Sequence, residues 1–127
     1  MVARRSSPTP DADEWLRRGR RNLRVAKAML EEGFSDASAF HAQQAAELAL
    51  KALQIAQTSG FARVHDLTKL PRDLGAPTRI LQLASDVTPL YVGARYPDMS
   101  RRITRVLAED TLRKARRIVP WVRRQMV

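Results

Sequence analysis

Apolar side chains recur along this chain at three- and four-residue intervals, and no segment alternates apolar with polar over several residues. That period belongs to the α-helix, so the pattern predicts an all-α fold. Trp15, Gly19, Leu23, Ala26 and Leu30 form the first stripe, with Arg17, Arg20, Arg21, Arg24 and Lys27 largely outside it. Asp11 or Asp13 opens this helix, placing acidic residues where the helix dipole favours them, and Gly33 closes it. A second helix opens at Ser35-Asp36 and runs to about Gln57. Two apolar stripes share it: His41, Ala45, Leu48, Ala52 and Ile55, then Ala42, Ala46, Ala49, Leu53 and Ala56. Only Gln44, Glu47, Lys51 and Gln54 remain as a polar strip. A helix apolar over most of its circumference is central, and small alanines let a neighbour approach closely.

Gly60 to Pro77 reads as a connector holding one short helix around Asp66–Leu74. The next helix, near Thr78–Val92, turns Ile80, Leu81, Ala84, Val87, Leu90 and Tyr91 inward. A loop from Gly93 to about Thr104 contains Arg95-Tyr96-Pro97-Asp98. The last helix, near Ala108–Gln125, buries Ala108, Leu112, Ala115, Val119, Val122 and Met126. Pro120 stands inside it, where a missing backbone donor should kink the helix. The polar, proline-interrupted segment 1–10 reads as an arm, and 11–127 as one domain, which suits a chain of 127 residues.

Composition narrows the function classes. No apolar run approaches the ~18 residues of a membrane span, and the first ten residues lack the apolar stretch of a secretory signal. A cytoplasmic protein is the expectation. The absence of cysteine removes disulfides, thiolate metal sites and cysteine nucleophiles. The net charge of +10 is concentrated: residues 95–127 carry ten basic and three acidic side chains, whereas residues 33–94 are balanced. Such a field favours a polyanion or an acidic protein over a neutral ligand. Arg113, Arg116, Arg117, Arg123 and Arg124 on the last helix are the candidates for that surface.

Catalytic signatures are sparse. His41 and His65 stand 24 residues apart without a second ligand at metal-binding spacing, so no metal or cofactor is expected. The five glycines are scattered, which leaves no phosphate cradle, and no serine sits in a nucleophile elbow. Glu47 and Lys51 have the favourable order for a helical ion pair. On so apolar a helix their charges need partners, and Glu47 is expected to anchor an arginine, first Arg95. In Arg95-Tyr96-Pro97-Asp98 the tyrosine is held extended by the proline and Asp98 can brace a turn. The arginine and tyrosine would also suit a phosphate or a base.

These residues converge on a family. The run from Phe34-Ser35-Asp36-Ala37 through Phe40-His41-Ala42-Gln43-Gln44-Ala45-Ala46-Glu47-Leu48-Ala49-Leu50-Lys51-Ala52-Leu53 closely resembles the second-helix signature of HEPN domains. His65-Asp66-Leu67 with Leu70, then Arg95-Tyr96-Pro97-Asp98, look like later landmarks of that family in the same order. Trp15-Leu16 with Leu23 and Ala26, and the closing Ala115 to Trp121-Val122, also resemble it, so the likeness spans about residues 12–124. It implies an up-and-down bundle of four long helices plus one short helix, commonly a homodimer. It also implies pairing with a minimal nucleotidyltransferase in a toxin–antitoxin or nucleotide-handling module. Many members are metal-independent ribonucleases carrying arginine, four to six residues, then histidine. That motif is missing here: no arginine stands at the required distance before His41 or His65, and Arg63 is too close to His65.

The expectation is therefore a binding module. Its polar site would comprise Glu47, Lys51, His65, Asp66, Arg95, Tyr96 and Asp98, for a nucleotide or an RNA phosphate. The alternatives are a ribonuclease using His65 as base and Arg95 as phosphate cation, or a scaffold whose RYPD loop only braces helices. The alanine-rich second helix has more apolar faces than a small bundle covers, which points to a second copy.

Overall fold

The computed structural model describes residues 10–58, 74–87 and 103–126, and within them the chain is helical without strands. Helix α1 spans Pro10–Glu31, α2 Ser35–Thr58, α3 Thr78–Val87 and α4 Arg105–Gln125. Proline is suited to the first helical position, where its fixed φ is already helical and no backbone donor is needed. For that reason α1 begins at Pro10, one residue before the expected start. The short helix expected around Asp66–Leu74 lies outside the described residues apart from Leu74, which is in a turn. The expected continuation of α3 beyond Val87 also lies outside them.

The α1–α2 turn follows from one glycine. Gly33 adopts φ +89°, its N–H donates to the Leu30 carbonyl at 3.1 Å, and the Phe34 N–H donates to Met29 at 2.8 Å. This is a Schellman closure, which needs a left-handed residue at that position. The two helices then fold back against each other at Gly19. A Cβ there would lie 3.1 Å from the Ala45 carbonyl oxygen and 3.3 Å from the Ala49 nitrogen. Further along, the buried Ser38 hydroxyl donates to the Ala26 carbonyl at 2.7 Å, tying the helices through one of their few internal polar groups.

Helix α2 is central. Ala39, Ala42, Ala45, Ala46, Ala49, Leu50, Ala52 and Leu53 are buried, with α1 and α4 packed on it. The partners that α2 needed are thus supplied within one chain, so its apolar faces no longer argue for a second copy. Ile80, Ala84 and Val87 of α3 close the same core with Ile118, Val119, Trp121 and Val122 of α4.

Helix α4 starts three residues before its expected position. Thr104 caps it, its hydroxyl accepting from the Leu107 N–H at 3.1 Å. The first turn is invisible to periodicity because Val106 (73% exposed) and Leu107 face solvent, and the buried stripe begins only at Ala108. Every residue of the expected stripe is buried, together with Thr111, Ile118 and Trp121. The helix runs unbroken through Pro120, which is exposed.

Candidate functional site

The polar strip of α2 is where sequence and structure differ most in consequence. Glu47 and Lys51 are not on a wetted face: their side chains keep only 4% and 6% of their exposure. Lys51 Nζ donates to Glu47 Oε2 at 3.0 Å, and Gln43 Nε2 donates to Glu47 Oε1 at 3.3 Å. Gln43, which the sequence reading passed over, is fully buried. It is one helical turn before Glu47, and that i, i+4 spacing on a central helix was the available signal. The other members of the expected polar site, His65, Asp66, Arg95, Tyr96 and Asp98, lie outside the described residues. So does the expected contact between Glu47 and Arg95.

A second polar locus forms between α1 and α2. Asn22 Nδ2 donates to the Arg18 carbonyl at 2.9 Å, which turns its Oδ1 toward His41. His41 Nδ1 lies 2.8 Å from that oxygen and must carry the proton, leaving Nε2 as the basic nitrogen. Burial holds this imidazole below its ordinary pKa. A groove of about 310 Å³ beside it is lined by Arg18, Arg21, Asn22, Val25, His41 and Leu48. In the sequence His41 falls within an apolar stripe and has no metal-ligand partner, so nothing local marks this contact.

The arginines of α4 divide into kinds. Arg113 is held by Asp110, one turn away. Its neighbour Lys114 bridges Asp110 at 2.7 Å and Asp86 of α3 at 3.1 Å. The Lys114 hydrogen bond chiefly holds the Asp110 carboxyl below its usual range. Asp86 is lowered first by its Gln82 hydrogen bond and then by Lys114. Arg116, Arg117, Arg123 and Arg124 are exposed and make no ion pair among the described residues.

Arg116 and Arg123 do not stand alone. They share a groove of about 320 Å³ with Arg20, Arg24 and Lys27 of α1, floored by Leu23, Val119 and Pro120. The α1 cations were visible in the sequence as residues outside the apolar stripe. Their meeting with α4 was not, because it depends on the close packing of α1 and α4.

The comparisons with known proteins bear on the whole of this arrangement. The sequence model of the HEPN domain matches residues 12–125. The chain belongs to the HEPN family. Its fold is similar to the crystal structure of TT1696 from Thermus thermophilus, with 34% identity over 92% of this chain and 99% of that one and a TM-score of 0.84. It is also similar to ST0689, an archaeal HEPN homologue, at 27% identity over 91% and 98% of the two chains, with a TM-score of 0.79. Among curated proteins, none matches. The HEPN signature read from Phe34 to Leu53 is therefore the α1–α2 turn and the first five turns of the central helix. Within that HEPN helix the signature's Glu47 and Lys51 form the buried pair. Among the described residues no helix is long and apolar enough to cross a membrane.

Proposed function

We propose that this HEPN protein is a cytoplasmic binding module that docks a minimal nucleotidyltransferase in a toxin–antitoxin-like or nucleotide-handling pair, with a nucleotide or RNA phosphate as accompanying ligand. The observation that carries the reading is the gathering, on one side of the bundle, of α1 and α4 cations that make no ion pair among the described residues. Among the described residues no carboxylate lines their groove. A surface of that kind steers acidic partners and holds phosphate. The missing arginine-to-histidine motif supports binding over catalysis. Co-expression with a minimal nucleotidyltransferase encoded beside its gene, followed by size-exclusion chromatography, tests it: one stoichiometric complex is expected, and separate elution refutes the pairing. The protein acts as a homodimer in this reading, consistent with the exposure of Phe34, Val106 and Leu107. Sedimentation at micromolar concentration should then give about twice 14.4 kDa.

A ribonuclease is the second reading, and His41 is the observation that favours it. Its Nε2 is basic, and Arg21 lines the same groove, with Arg18 beside it held by Glu14, so a general base and a phosphate cation share one site. This differs from the His65 and Arg95 pair expected from the sequence. Digestion of single-stranded RNA by pure protein, compared with His41→Ala and His65→Ala, separates the two: cleavage lost only in the first assigns His41, and no cleavage by the parent removes the reading.

A further inference from the structure

The groove between α1 and α4 has a composition that selects among anionic ligands. Its two rims are cationic: Arg20, Arg24 and Lys27 on α1, Arg116 and Arg123 on α4. None of the five is ion-paired among the described residues, whereas Arg17, Arg18, Arg105 and Arg113 each hold a carboxylate on their own helix. Each rim spans eight residues, seven helical rises or about 10 Å, which is two turns. The floor between them is aliphatic: Leu23, Val119 and Pro120. Pro120 is exposed within α4, where proline disfavours the helix, and its ring adds to the apolar lining.

We propose that this groove docks an amphipathic acidic helix of a partner protein, two to three turns long. An apolar ridge flanked on both sides by Glu or Asp is the complement of an aliphatic floor between two cationic rims. To RNA the groove offers phosphate attraction but nothing that grips a base, and its apolar lining would go unused. Among the described residues it holds no aromatic ring on which a base could stack and no amide or hydroxyl side chain to read one. The chain's own remaining segments are also poor occupants. Residues 1–9 carry Arg4 and Arg5 without an acid, 59–73 carry three cations against two acids, and 88–102 three against one. None of these sequences offers the net negative charge that the groove complements.

The inference rests on the binding-module reading, but its test does not need the nucleotidyltransferase. The probe is a fluorescein-labelled synthetic helix of about 18 residues, long enough to hold its fold, with leucines in one ridge flanked by glutamates. A peptide of the same composition with the ridge scrambled, and a labelled single-stranded RNA, are the comparisons. With the full chain, fluorescence anisotropy should show the ridged peptide binding about tenfold tighter than the scrambled one. Arg24→Glu with Arg123→Glu, one change per rim, should abolish that preference. Arg117→Glu with Arg124→Glu alters the same charge outside the groove and should leave it. Pro120→Gln, which favours the helix and keeps the charge, should weaken the ridged peptide several-fold, so loss of folding cannot account for the effect. Equal binding of both peptides, or equal losses in the two double variants, overturns the proposal in favour of general charge attraction. RNA binding tighter than the peptide and lost with Arg24→Glu and Arg123→Glu overturns it in favour of a phosphate track. If the peptide preference is absent while the nucleotidyltransferase still co-elutes, the groove assignment fails and the function stands. If the preference is present and nothing co-elutes, the pairing fails and the groove stands.

Discussion

Replacing Gly19 by alanine sets two effects of known size against each other. In a freely exposed helix interior the change gains about 0.8–1.0 kcal/mol, because glycine loses more backbone entropy on folding. At Gly19 the new Cβ meets the Ala45 carbonyl oxygen at 3.1 Å and the Ala49 nitrogen at 3.3 Å. Ordinary contact begins near about 3.5 Å, so α1 and α2 must part by a few tenths of an ångström. The obstructing atoms are backbone and cannot rotate away as a flexible side chain would. Overpacking of this kind costs about 1–3 kcal/mol. The steric effect wins, and Gly19→Ala should destabilise by about 1 kcal/mol net, with Gly19→Val at about 3 kcal/mol. Urea unfolding at fixed protein concentration measures this as a lowered midpoint with unchanged slope. Ala28→Gly, on the exposed side of α1, calibrates propensity alone and should cost up to about 1 kcal/mol. Should Gly19→Ala instead stabilise by that full amount while valine is tolerated, the close approach of the two helices is refuted.

Three further outcomes follow from the polar groups. Lys51→Met should destabilise by about 3–5 kcal/mol by breaking the buried pair, and Glu47→Leu combined with it should recover most of that loss in the same assay; an effect below about 1 kcal/mol would mean that the pair is solvated. Asp86 and Asp110 titrate below their unfolded values, so the stability they add is present above those values and is lost as pH falls through the folded ones; Lys114→Met should flatten this acid limb, below about pH 4. Lys114, raised above its ordinary 10.5, contributes fully below that value and is lost only as pH rises through the folded one. The His41 ring should titrate below 6.5 by NMR, its contribution to stability present above 6.5 and lost as pH falls toward the folded value; titration at or above 6.5 would show that the ring is hydrated.

Periodicity made the buried stripe of α4 and the central position of α2 legible, because a face that must leave water repeats with the helix. Its limits are equally physical. The first turn of α4 was missed because Val106 and Leu107 are apolar but unburied, and only the Thr104 cap marks the start. The Glu47–Lys51 pair was readable as a helical neighbour pair. Its burial depends on what packs over that strip, which no local pattern records. The cationic groove joins residues nearly the whole chain apart, so each rim was visible alone and their apposition was not.

The three-residue connection around Gly33 also sets an order of events in folding. Its closure uses only neighbouring backbone groups, so bringing α1 and α2 together loses little chain entropy, whereas α4 must return across everything between Thr58 and Arg105. The helical hairpin should therefore gain amide protection first in pulse-labelled exchange, and α4 last. Arg105 marks that last step: its Nη1 donates to the Leu30 carbonyl at 3.0 Å, adding a cation at the end of a helix that has no basic residue of its own in its last turn. A contact made after the barrier affects only the way back, so Arg105→Ala should quicken unfolding while folding keeps its rate. The latch that α4 closes on α1 is then a determinant of how long the folded molecule persists, and hardly of how fast it forms.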